Sequence, residues 1–117
     1  MTEPDVWDVG GVIVLPPGDL PIRVGRVVAR IENVSRADTR SVCVAEQVQE
    51  DVAVADNGEI EFSIAIHEEL EPSSHYAVRA HLDVTGTGDV TSGDYVSTVS
   101  YPVRGDEKAL RLAVKKI

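Results

Sequence analysis

The stretch Glu59-Ile60-Glu61-Phe62-Ser63-Ile64-Ala65-Ile66-His67 (EIEFSIAIH) decides how the chain folds. Ile60, Phe62, Ile64 and Ile66 fall on every second position, separated by Glu61, Ser63 and Ala65. Side chains along an extended strand alternate between two faces, so this spacing buries one face and wets the other. A helix would scatter the same four residues around its circumference. Residues 76–84 repeat the device, with Tyr76, Val78, Ala80, Leu82 and Val84 inward and Arg79, His81 and Asp83 outward.

Working outward from these two strands, residues 26–33 put Val27, Ala29 and Ile31 on one side. Ile22 and Val24 precede them in the opposite phase, so Gly25 marks a bulge that resets the register. Residues 9–15, 42–48, 95–103 and 109–116 complete a set of about seven strands. Turn chemistry separates them at Pro16-Pro17-Gly18, at 33–38, at Asp56-Asn57-Gly58, at 71–74, at 86–93 and at Gly105-Asp106. No long 3.6-residue period interrupts the pattern. It predicts an all-β antiparallel sandwich or barrel whose inward faces are led by Ile60, Phe62, Ile64, Val78, Leu82, Leu110 and Leu112. Residues 1–8 read as a flexible N-terminal segment and 9–117 as a single β-sandwich domain.

At 117 residues and 43% hydrophobic content, one domain can bury a core without disulfides or metals. The single cysteine, Cys43, rules out an internal disulfide. With a net charge of −9 the summed field repels phosphate, which opposes binding to nucleic acid or to an anionic membrane. The opening residues MTEPDVWD have neither a basic nor a continuous apolar region, so they are not a signal peptide as written. The expected location is cytoplasmic as written, and periplasmic or cell-envelope if a signal peptide has been removed. No stretch approaches the roughly 18 apolar residues that would predict membrane insertion.

Leu70-Glu71-Pro72-Ser73-Ser74-His75-Tyr76 leads through a polar turn into the alternation that starts at Tyr76. This resembles the tyrosine corner of fibronectin type III and related domains, with Leu70, Pro72 and Tyr76 as its residues. A buried Tyr76 hydroxyl would there bond backbone a few residues upstream; the alternative is a core aromatic whose hydroxyl reaches water. Read together with Leu15-Pro16-Pro17-Gly18, VARIENVSRAD at 28–38, Ala45-Glu46-Gln47, Phe62, YAVRA at 76–80 and Tyr101-Pro102-Val103, the corner makes the chain resemble the YbaY/YscW family of lipoproteins and type III secretion pilotins. The resemblance implies an immunoglobulin-like antiparallel β-sandwich. For the pilotin branch it also implies a lipid-anchored chaperone that binds a secretin subunit and assists its outer-membrane assembly. The chain departs from the family pattern in lacking an N-terminal cysteine to carry a lipid and in the extra residues between Gly18 and Val28.

Chemistry-bearing residues are sparse. No G-x-S-x-G elbow occurs, and Cys43 between Val42 and Val44 reads as a small core residue. His75 and His81 share a strand face but sit roughly 20 Å apart, too far for one metal ion. His67 beside Glu68 and Glu69 reads as a surface histidine. Asp83, Asp89 and Asp94 could offer oxygens to calcium but lack the alternating ligand spacing of a calcium loop, so no cofactor or metal is expected. Charge is more informative. From Ser41 through Val78 there is no Lys or Arg, against nine Asp and Glu. Glu68, Glu69 and Glu71 form its candidate docking face for a basic partner, the alternative being a solvated surface that aids solubility.

These observations favour a monomeric, non-enzymatic protein-interaction module, with a secretin-like protein or a basic peptide as partner. The alternative, a small-ligand or carbohydrate-binding β-sandwich, would need an aromatic platform that a 4% aromatic content hardly supplies. If the corner forms, Tyr76→Phe lowers stability by about 1–3 kcal/mol in chemical denaturation, because the backbone partner loses its hydrogen bond. An unchanged midpoint would place the hydroxyl in water.

Overall fold

The computed structural model describes residues 7–18, 20–34, 42–67, 75–86, 93–97, 101–103 and 107–117. They contain eight strands: β1 (Trp7–Val14), β2 (Arg23–Asn33), β3 (Val42–Ala53), β4 (Glu59–Ile66), β5 (Tyr76–Asp83), β6 (Tyr95–Ser97), β7 (Tyr101–Val103) and β8 (Glu107–Lys116). The fold is all-β, as the alternation requires. In β4 the four expected residues are all buried while Glu61, Ser63 and Ala65 are exposed. Each such apolar side chain contributes roughly 1.5–3 kcal/mol of burial, which fixes the register because a one-residue slip would turn all four to water.

The strands follow the order β3-β2-β5-β6-β8-β1-β4, with β7 pairing β5 off this path. Pairing is antiparallel except between β1 and β8, which run parallel. The expected antiparallel arrangement of about seven strands is therefore corrected in two ways. One pair is parallel, and residues 95–103 divide into β6 and β7. Pro102 lies within β7 opposite Ala77, a placement suited to an edge strand because proline has no N–H to donate.

β3 and β4 stand at the two ends of this path, yet only residues 54–58 separate them in the chain. The sheet must therefore curl until its ends meet, giving a nearly closed, barrel-like shape. The connecting turn is tightly held. Gly58 N–H donates to the Ala55 carbonyl at 2.8 Å, Glu59 N–H to Asn57 Oδ1 at 3.2 Å, and Leu15 N–H to the Gly58 carbonyl at 2.9 Å. Gly58 has φ 77°, a conformation that side-chain-bearing residues rarely adopt. The enclosed core draws on Val9 and Ile13, Val27 and Ile31, Ile64 and Ile66, Val78 and Leu82, and Leu112 and Val114.

Other expectations need adjustment. Leu110 is half-buried at the margin of the core. Ile22, expected inward, is 84% exposed, because β2 begins only at Arg23. The inward phase does switch across Gly25, from Val24 to Val27, but the ladder to β3 continues there without a shift; its irregularity falls between Ile31 and Glu32. Cys43 is half-buried rather than a core residue, with Sγ 3.4 Å from the Ala45 carbonyl oxygen. β1 starts at Trp7, two residues before the expected domain boundary.

The parallel β1–β8 register shifts between Val9 and Gly11, where Lys108 and Ala109 oppose Gly10 alone. A Cβ on Gly11 would overlap the Leu110 carbonyl oxygen and lie 2.6 Å from the Leu110 nitrogen. Both obstacles are backbone and cannot rotate away. Gly11→Ala should thus cost on the order of 3 kcal/mol in denaturant unfolding; a loss under about 0.5 kcal/mol would contradict this packing.

Candidate interaction site

Where β3 and β4 meet, no backbone ladder joins them among the described residues. Two side-chain amides bridge the seam instead. Gln47 Oε1 accepts the Ser63 N–H at 2.7 Å, and Gln49 Nε2 donates to the Glu61 carbonyl at 3.0 Å. Both glutamines are half-buried and share one face of β3, while Glu46, Val48 and Glu50 on the other face are exposed. Beside the bridge the strands leave a cavity of about 370 Å³, lined by Gln49, Val52, Asn57, Glu59 and Glu61 among others. A larger groove of about 760 Å³ lies over β1, between β4 and β8. Asp8, Gly10, Glu61, Ser63, Ala109 and Arg111 line it, so Glu61 and Val12 border both spaces.

Similar substitutions of side chain for backbone recur elsewhere. Tyr101 on β7 accepts the Ala113 N–H of β8 through its hydroxyl at 2.8 Å, and Ser97 Oγ accepts the Ala80 N–H at 2.9 Å. Nothing in the alternation pattern signals these roles, because serine, glutamine and tyrosine are equally at home on a wet strand face.

The structure redistributes the cation-free stretch. Arg26–Glu50 and Arg30–Glu46 sit directly opposite each other on β2 and β3 at 3.7 and 3.6 Å. Arg23 Nε meets Asp51 at 2.7 Å and its other nitrogen bonds the Asp51 carbonyl at 3.1 Å. Arg111 reaches across β1 to Glu59 at 2.9 Å. Cations from neighbouring strands thus answer four of the six acids of that stretch that lie among the described residues. The Arg23 hydrogen bond holds the Asp51 carboxyl below its ordinary range, and Asp51 in turn raises the Arg23 guanidinium. That pair's stabilisation is present above the unfolded carboxylate value and is lost as pH falls through the lowered folded one. Arg30 is likewise raised, chiefly by its hydrogen bond to Cys43.

Of the residues expected to matter, Tyr76 is buried at the start of β5, opposite Asn33 of β2 and Val103 of β7. Leu70 and Pro72 of the corner, and Glu68, Glu69 and Glu71 of the docking face, lie outside the described residues, as does Asp89. Asp83 and Asp94, considered for calcium, are each 1% exposed and accept backbone hydrogen bonds at 3.0 Å from Gly86 and Val84. Asp94 also meets His81 Nε2 at 3.0 Å. Because Val84 and Asp94 flank residues 85–93, this cluster clasps the base of that connection. No group of three metal-ligating side chains occurs among the described residues.

No family model matches the chain, and no curated protein matches it. The YbaY/YscW resemblance therefore has no independent match. Among solved structures the chain is similar to an alternative pilotin from the type II secretion system of Vibrio cholerae, with TM-score 0.77 and 19% identity over 97% of this chain and 98% of that one. At this identity the likeness is one of fold. That neighbour is a type II pilotin, whereas the pilotin branch of the sequence resemblance is type III.

Proposed function

We propose that the chain is a pilotin-like, non-enzymatic interaction module that binds a secretin-like protein partner. One observation carries the reading: the likeness to the Vibrio cholerae pilotin runs through nearly the whole of both chains, so the complete domain is shared. The accessible surface supports a binding role, because a groove and an adjoining cleft flank β4. On this reading the chain acts as a monomer in the cell envelope, where secretins assemble. We further read the flattened barrel as a variant of an immunoglobulin-like sandwich. Its 23 Å short dimension suits two facing layers about 10 Å apart with their side chains. A carbohydrate-binding role draws less support, since Phe62 is the aromatic residue at the groove and is itself buried.

The experiment is calorimetric titration of the protein with peptides tiled across a secretin subunit. The reading predicts that one region binds with micromolar or tighter affinity, a negative heat-capacity change and little loss on raising salt. No binding by any peptide or by the intact secretin would overturn it.

A further inference from the structure

The seam between β3 and β4 points to a chemistry that a pilotin-like role does not itself specify. Glu61 C=O and Ser63 N–H are two residues apart on the edge of β4 that faces away from β1. One residue of a parallel strand would pair with these two groups, donating its N–H to the first and accepting from the second with its carbonyl. Gln49 supplies the donor and Gln47 the acceptor, with their amides 3.5 Å apart. The two side chains together thus imitate a single residue of a strand that is not there. A cavity of about 370 Å³ lies beside them, where no ladder joins β3 to β4 among the described residues.

Both walls of the seam come from the stretch that has no Lys or Arg. They carry Glu46, Glu50 and Asp51 on β3 and Glu59 and Glu61 on β4. Four of these acids pair with arginines; Glu46, Glu50 and Asp51 do so at exposed positions, where such pairs contribute little and are readily exchanged, while Glu59 is half-buried. Glu61 is exposed at the lip shared by cavity and groove.

We propose that the β3–β4 seam is a strand-addition site for an extended basic peptide, running parallel to β4, whose main chain replaces the Gln47 and Gln49 amides on Ser63 and Glu61. Main-chain hydrogen bonds then give affinity and the acidic walls select Lys or Arg at alternate positions. The proposal does not depend on the partner being a secretin.

The test uses an eight-residue peptide of alternating Val and Lys, titrated into the folded protein and followed by amide NMR. Its comparators are the same peptide N-methylated along its length, which keeps charge but removes donors, and a Val–Glu peptide. The expected result is shift changes concentrated at residues 61–65 and at the Gln47 and Gln49 side-chain amides, with parallel-strand contacts to β4. N-methylation should weaken binding at least about 10-fold, the loss of roughly one or two main-chain hydrogen bonds, and the Val–Glu exchange at least about 10-fold through repulsion between its carboxylates and the acidic walls. Glu61→Gln, a surface change that the fold tolerates, should weaken the Val–Lys peptide about 2- to 5-fold, on the scale of one exposed ion pair. Equal binding by the Val–Lys and N-methylated peptides, shifts spread over all surface acids, or no binding at millimolar peptide would overturn the proposal.

Discussion

Residues 54–58 tie together two strands that lie at opposite ends of the sheet, and most of the architecture follows from that constraint. β3 extends the sheet beyond β2 and β4 extends it beyond β1, so a five-residue link leaves closure as the only outcome. Strand twist supplies the curvature, and the buried aliphatic residues of β1, β2, β4, β5 and β8 fill the interior it creates. The same constraint explains why β1 contacts β8 in parallel. Strands that close a ring take the direction their connections leave them, and the β1–β8 pair accommodates it with a bulge and a glycine at position 11.

Closure is completed by side chains. Gln47 and Gln49 bridge β3 to β4, Tyr101 bridges β7 to β8, and Ser97 continues β6 onto β5. Each supplies a hydrogen-bond partner to a backbone group where the backbone ladder gives out. Side-chain bridges also differ from ladders in function. A ladder is cooperative along its length, whereas an amide on a flexible stem can be exchanged for another donor or acceptor without unravelling the strands. The edges of this barrel are therefore masked from open pairing with other chains while remaining chemically addressable.

Alternation made the core legible. Ile60, Phe62 and Ile64, and Val78 and Leu82, face inward because burial energy and a two-residue period leave no other solution. Strand order was not legible, since the pattern of β1 and β8 reads the same in either direction. The strand expected over 42–48 stops short of Gln49, Glu50 and Asp51; β3 continues to Ala53 because its outer carboxylates meet arginines on β2 and its glutamines meet β4. Asp83 and Asp94 looked like solvated or metal-binding acids. Their burial depends on a turn that folds backbone N–H groups over them, information carried by tertiary contact rather than by spacing.

The ends of the sheet meet through side chains rather than through a ladder, and cross-strand proton contacts in solution distinguish the two. Hα–Hα or Hα–HN contacts are expected for every backbone pairing described above, none of ladder type between β3 and β4, together with contacts from the Gln47 side-chain amide to the Ser63 N–H. A continuous series of antiparallel Hα–Hα contacts between β3 and β4 would contradict it.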